Sequence, residues 1–194
     1  MLYAILFLFL RLPSLFEPYW YGDEGIYLAL GQGIRRGLLL YQQIHDNKPP
    51  SLYYLAAISQ TVFGFRLLLL LTMNPTIYFF YRLAQKFLSP RLATLSTLLF
   101  LILTSIPLVE GNIANAEVFM LLPTILAVYL LLSSRISSVR YLVSGLLLGL
   151  AFTIKVPVAF EAAFLGLWLL IFQKSKIKNI LLFFFAFIFP IFLY

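Results

Sequence analysis

Five ionisable residues stand apart in a chain that is 62% hydrophobic and only 11% charged. Asp23 and Glu24 are adjacent within 19-YWYGDEGIYLALGQGIRRG-37, close behind the first apolar run. An acid pair kept in such surroundings is suited to chemistry at a membrane surface, as a proton acceptor or a cation ligand. The competing reading makes Asp23 a helix N-cap and Glu24 a favourable first-turn charge. Lys48 precedes Pro49-Pro50, which stiffen and bend the chain before the next apolar run. Its ammonium is thereby pinned where a lipid phosphate would meet it, although an ordinary snorkelling lysine fits the same sequence. Glu117 opens a later apolar run, with Asn112 and Asn115 upstream, and first-turn placement alone also accounts for it. Lys155 ends the Gly-rich run 145-GLLLGLAFTIKVP-157, a lone cation among apolar residues that either snorkels or takes a phosphate. His45 and Asp46 match no metal-ligand spacing, since one histidine stands with scattered carboxylates.

These residues must be held by membrane-embedded helices. The mean hydropathy is +0.98, and the 20 Phe and 12 Tyr are more apolar surface than a soluble fold of this size hides. Runs such as 179-NILLFFFAFIFPIFLY-194 are apolar on every side, which favours helices over the period-two alternation of a barrel. The expected fold is an all-α polytopic membrane protein in a single module, 1–194. The absence of cysteine removes disulfides and Cys-based metal sites. The net charge of +7 is dispersed between apolar spans, which marks a membrane face and argues against a nucleic-acid partner. The first run lacks the features of a cleaved signal peptide and reads as a retained span. The last run ends without a polar tail, so the chain is expected to be part of something longer.

Apolar runs fall at about 1–16, 51–64, 66–88, 92–107, 118–132, 141–156, 157–172 and 179–194. The second is short and carries Ser59, Gln60 and Thr61, so it is expected to lie at the interface as a helix over 51–64. About seven spans then remain. With an inside N-terminus, Arg82, Lys86, Arg91, Arg135, Arg140, Lys174, Lys176 and Lys178 all fall inside, as the positive-inside rule requires. The acids Glu17, Asp23, Glu24, Asp46, Glu110, Glu117 and Glu161 fall outside or near the outer span ends. Segment 17–50 becomes an external loop. Within it Ile26, Ala29, Leu30, Ile34 and Gly37 share helical spacing, which predicts an amphipathic surface helix opened by Gly22-Asp23. Tyr19, Trp20, Tyr21 and Tyr27 are suited to anchoring that loop at the interface. Gly145 and Gly149 form a GxxxG packing face.

In order along the chain, these signals resemble the N-terminal membrane module of the GT-C glycosyltransferases. The likeness is to bacterial relatives of the protein O-mannosyltransferases and to the lipid A aminoarabinose transferase. It runs through Arg11-Leu12-Pro13, then Asp23, Glu24 and Tyr27, then Gly37, Tyr41 and Lys48-Pro49-Pro50. Asn115 and Glu117 follow, and Gly145, Gly149, Leu150, Ala151 and Lys155 close the set. The resemblance implies an inverting transfer of a sugar from a polyprenyl-phosphate carrier to a lipid, glycan or protein acceptor. The reaction would occur on the outer face of the cytoplasmic membrane. It implies Asp23 as the catalytic carboxylate, Glu24 as its partner and Glu117 as a second acidic site. Lys48, Lys155 and Arg11 are the candidates for the donor phosphate, with Tyr27, Asn115 and His45 in support. No cofactor is certain, and a divalent metal on Asp23 and Glu24 is left open. A non-catalytic membrane scaffold, or a transporter of lipid-linked substrates, is the alternative. Transporters, however, place ionisable groups at the midplane of the bilayer.

Overall fold

The structure, a computed structural model, describes residues 2–18, 21–132, 137–173 and 175–193. The expectations that fall on Tyr19, Trp20, Arg135 and Lys174 lie outside the described residues. The chain is all-α, with no strand among the described residues beyond an isolated Leu40–Ile44 bridge. Its helices are α1 (Leu2–Arg11), α2 (Gly22–Arg35), α3 (Ser51–Ser59), α4 (Val62–Ala84) and α5 (Pro90–Leu103). They continue as α6 (Ala116–Phe119), α7 (Leu121–Leu131), α8 (Ser138–Phe152), α9 (Val158–Ile171) and α10 (Ile177–Ile188).

Local chemistry sets the boundaries. The Thr61 hydroxyl accepts from the Gly64 N–H (3.0 Å) and caps α4, while Gln60, at φ 65°, breaks the chain just before it. The helix expected over 51–64 is therefore shorter. It stops at Ser59, and 62–64 belong to α4. Ser89 and Pro90 begin α5, and the Asn115 side chain caps α6 by accepting from the Val118 N–H (3.1 Å). Gly37, at φ 85°, closes α2: its N–H bonds Ile34 O (2.9 Å) and the Leu38 N–H bonds Gly33 O (3.1 Å), a Schellman motif.

By length and composition, α4 alone among the described helices, at 23 residues, is sufficient to cross a membrane. The other apolar helices are shorter, so a count of seven crossings does not follow from helix length. The outer surface is apolar, with Phe16, Phe160, Phe172 and Phe192 each more than 70% exposed. Water penalises such a surface and acyl chains accept it.

One core gathers α1–α6 around Phe7, Tyr27, Tyr53, Phe65, Leu69 and Met73, and a second joins α7–α10 around Tyr141, Leu148, Val158 and Phe183. The helices approach closely where side chains are missing. A Cβ on Gly145 or Gly149 would collide with the carbonyls of Phe183 and Phe187, so the GxxxG face packs against α10. A Cβ on Gly31 would lie 2.6 Å from Ala57 N, where α2 crosses α3. The face of α2 differs from expectation: Glu24, Tyr27, Leu30 and Gly31 are buried, whereas Ile26 and Ala29 are exposed.

Candidate active site

A set of long-range polar contacts collects at one end of the bundle. Arg66, in the first turns of α4, donates through Nη1 to Ser14 O (2.6 Å) and Glu17 O (2.9 Å). Arg11 donates to the carbonyls of Gly111 and Thr104, past the end of α5. The Ser51 N–H bonds Thr153 O (3.0 Å) and their hydroxyls meet at 2.8 Å, which ties the start of α3 to the end of α8. The ends of α1, α5 and α8 and the starts of α2, α3, α4 and α6 therefore converge.

Asp23 lies in the first turn of α2, behind an N-cap position occupied by Tyr21. Its carboxylate does not cap the helix. It accepts from the Lys48 ammonium and from the Tyr27 hydroxyl (3.0 Å), one turn further along. Lys48 also donates to the Tyr27 oxygen and lies 4.6 Å from that ring's centroid. The ends of Lys48's peptide are fixed too. Its N–H donates to Tyr53 OH (3.2 Å), Tyr53 donates to Asp46 Oδ2 (2.8 Å), and Tyr41 donates to Lys48 O (2.6 Å). Pro49 and Pro50 then lead into α3.

Partial burial pushes the Asp23 carboxyl up, but the hydrogen bonds from Lys48 and Tyr27 outweigh it. With the charges of Lys48 and Lys155 they hold it below the ordinary carboxylate value. Burial, followed by the hydrogen bond to Asp23, pushes the Tyr27 hydroxyl well up, so Tyr27 stays a donor. Burial and then Asp46 do the same to Tyr53. Burial, with the charge of Asp46, pushes Tyr41 up to about 12.

A second pair stands beside the first. The Lys155 ammonium donates to Glu117 Oε1, with the Glu117 side chain 53% exposed and that of Lys155 27% exposed. The proximity is electrostatic as well as topological, because Lys155 acts on Asp23 and Glu117 acts on Tyr27. The structure thus gathers Asp23, Tyr27, Lys48, Glu117 and Lys155 at one open end.

The remaining candidates lie elsewhere. Glu24 is fully buried, and both of its oxygens are taken by Arg66, at 2.8 Å from Nε and 2.7 Å from Nη2. The Ala114 N–H adds a third bond to it at 3.3 Å. Arg11 is buried on backbone carbonyls, Asn115 caps α6, and His45 is exposed against the edge of Tyr41. Sequence reasoning missed Arg66, Tyr53 and the orienting role of Asp46. Arg66 had a signal, a lone guanidinium opening an apolar run, which demands a buried partner. A divalent ion on Asp23 and Glu24 does not fit these residues. Glu24 turns inward to Arg66, and no three His, Asp or Glu side chains cluster among the described residues.

Residues 47–194 match a family profile that, on this apolar helical scaffold, makes the chain a membrane glycosyltransferase of the GT-C type. That family is described as dolichyl-phosphate-mannose-protein mannosyltransferase, and the chain belongs to it. The matched segment includes Lys48, Arg66, Glu117 and Lys155, while Arg11, Asp23, Glu24 and Tyr27 precede it. No curated protein and no solved structure matches the chain.

Proposed function

We propose that this glycosyltransferase takes its sugar from a polyprenyl-phosphate carrier. It passes the sugar, with inversion, to a hydroxyl of a lipid, glycan or protein acceptor. The observation that carries the reading is the pairing of two lysines, Lys48 and Lys155, with two carboxylates, Asp23 and Glu117, at one end of the bundle. Asp23 is ionised at neutral pH and reachable from solvent, as a general base must be. It takes the proton from the acceptor hydroxyl as that oxygen attacks C1 of the sugar. The bond from C1 to the phosphate oxygen breaks, and the electron pair leaves with the polyprenyl phosphate. Lys48 and Lys155 stabilise that charge. Glu117 holds Lys155 in place, and Glu24 acts through Arg66 as a positioning residue for the start of α2. Arg11 serves the donor indirectly, by holding the loop that leads into α6 and Glu117.

The site faces the outer side of the cytoplasmic membrane in this reading. Helices α1, α4, α5, α6–α7, α8, α9 and α10 cross the bilayer, and α2 and α3 lie along its outer surface. Support comes from charge. Arg82, Lys86, Arg91, Arg140, Lys176 and Lys178 lie toward the helix ends opposite the carboxylate cluster.

Asp23→Asn tests the assignment in the full-length protein with polyprenyl-phosphate mannose as donor. The amide keeps the shape and the bond from Tyr27 but cannot take the proton. Turnover is expected to fall by roughly 10²–10⁴-fold with donor binding retained. An Asp23→Asn enzyme of near wild-type turnover would sink the base assignment.

A further inference from the structure

The opposite end of the bundle holds a second polar site that sugar transfer does not use. Between α1 and α4 lies a cavity of about 370 Å³ lined by Tyr3, Asn74, Tyr78, Tyr81, Arg82 and Gln85. Beside it a shallow, open depression is bounded by Tyr81, Pro90, Arg91, Thr94 and Leu95. The junction between them is the Tyr3 side chain, which donates to Thr94 Oγ1 (3.0 Å) and packs against the Tyr81 ring at 5.2 Å. Tyr81 lines both.

The donors here outnumber the acceptors. Arg82 spends one N–H on the Tyr78 oxygen (3.0 Å) and lies 5.8 Å from that ring's centroid, which leaves the rest of its fork free. Gln85 donates to the Tyr81 oxygen (3.0 Å). Tyr78 and Tyr81 thus act as acceptors toward the protein, and each keeps its own O–H proton to give away. Arg91 adds a second guanidinium on the far side of the junction. Neither arginine has a carboxylate partner among the described residues. The neighbouring cation is already used, since Lys86 donates to Leu132 O (3.1 Å) and lies 4.9 Å from the Tyr129 ring centroid. One acceptor in the lining is left over: Asn74 Oδ1, buried and without a hydrogen-bond partner among the described residues. Leu95, which bounds the depression, is more than half exposed, as are Leu92 in the first turn of α5 and Phe87 just after α4.

We propose that this seam binds the headgroup of an anionic phospholipid of the glycerol type. The phosphate takes the free N–H groups of Arg82 and Arg91 and the hydroxyl protons of Tyr78 and Tyr81. The headgroup hydroxyl donates to Asn74 Oδ1, and the acyl chains run along Phe87, Leu92 and Leu95. Basic pockets between membrane helices recognise such headgroups by this chemistry. A free phosphate shares the anion chemistry but supplies no acyl chains for these apolar side chains. The site is independent of the sugar-transfer reading.

Native mass spectrometry of the full-length protein in neutral detergent tests it, with phosphatidylglycerol or phosphatidylcholine added. Phosphatidylglycerol is expected to be retained about tenfold more than phosphatidylcholine, the difference expected of charged hydrogen bonds. Arg82→Gln with Arg91→Gln should abolish that preference. Tyr78→Phe with Tyr81→Phe, which alters no charge and little shape, should reduce it about threefold or more. Lys86→Gln should leave it unchanged. Equal retention of the two lipids overturns the site, as does a preference that survives the tyrosine pair of substitutions. An equal loss in Lys86→Gln would mean that general surface charge is being read. Displacement of the lipid by excess inorganic phosphate would mean a free-phosphate site. Should the arginine variant fail to fold, the tyrosine variant decides.

Discussion

Replacing Glu24 by Gln, which barely changes volume, tests how the start of α2 is held. In the native fold Arg66 makes four bonds: 2.8 and 2.7 Å to Glu24, and 2.6 and 2.9 Å to the carbonyls of Ser14 and Glu17. Both charged side chains are entirely shielded from solvent. Glu24→Gln leaves a buried guanidinium facing an amide, and breaking a buried pair in this way costs about 3–5 kcal/mol. Arg66→Met leaves the carboxylate uncompensated at a similar cost. Removing both, as Glu24→Leu with Arg66→Met, eliminates the stranded charge. What is then lost is the satisfaction of Ser14 O, Glu17 O and the Ala114 N–H, at about 1 kcal/mol each. The double variant should therefore fall about 1–3 kcal/mol below wild type, well short of the sum of the single changes. Reversible unfolding in mixed micelles with rising dodecyl sulfate measures all four proteins. Additive losses, or single losses below about 1 kcal/mol, would refute the buried-pair account. Turnover gives a second readout. The recovered double variant no longer pins Glu17 and Ala114 to the start of α2, so it should stay impaired in kcat while binding donor normally.

Three further outcomes follow from the site. Lys48→Ala and Lys155→Ala should each weaken binding of polyprenyl-phosphate mannose by about 1.5–3 kcal/mol, measured by donor titration, with Lys86→Ala unaffected. The acid limb of kcat/KM should lie below the ordinary aspartate range, because the free enzyme holds the Asp23 carboxyl down. The Asp23–Lys48 contribution to stability has the same sign. It is present above the unfolded-state aspartate pKa of about 3.9 and is lost as the pH falls through the lower folded value. An acid limb near pH 6 in kcat/KM would contradict this. For topology, cysteines introduced at the exposed positions Gln43 and Leu108 should react with an impermeant thiol reagent from outside, and one at Phe87 should not. Labelling at 87 and not at 108 would invert the orientation.

What the sequence made legible depended on whether the relevant partner was local. The all-helical architecture was readable because runs such as 179–194 are apolar all round. The GxxxG face of α8 was readable because small residues one turn apart have few other uses. The Lys48-Pro49-Pro50 stretch announced a fixed lysine. Long-range pairing was not readable. Glu24 and Arg66 are 42 positions apart, and neither spacing nor propensity links them. The face of α2 misled for a physical reason. Hydrophobic periodicity locates a core when the alternative is water, but at the bilayer surface proposed for α2 an outward Ile26 carries no penalty. The buried stripe instead follows the polar Glu24, the aromatic Tyr27 and the glycine that lets α3 approach.

The two readings offered for Asp23, cap and base, were undecidable locally because a first-turn aspartate suits both. Tertiary contacts separate them: its carboxylate is spent on Lys48 and Tyr27, and no side chain caps the helix from the N-cap position. That arrangement carries a consequence for the proposed chemistry. A carboxylate held by an ammonium is a weak base, and an ammonium held by a carboxylate is a poor phosphate ligand. The arriving donor resolves both at once, since its phosphate competes with Asp23 for Lys48 and with Glu117 for Lys155. As Lys48 turns to the phosphate, Asp23 loses the hydrogen bond and charge that hold its pKa down, and its affinity for the acceptor proton rises. Tyr27 stays in place, since its hydroxyl is held protonated, and keeps the freed carboxylate oriented toward the open end. The base thus becomes strong only with donor in the site. The acid limb of kcat, which reports the donor-bound enzyme, should accordingly lie at higher pH than that of kcat/KM. Coincident limbs would show that Lys48 never leaves Asp23.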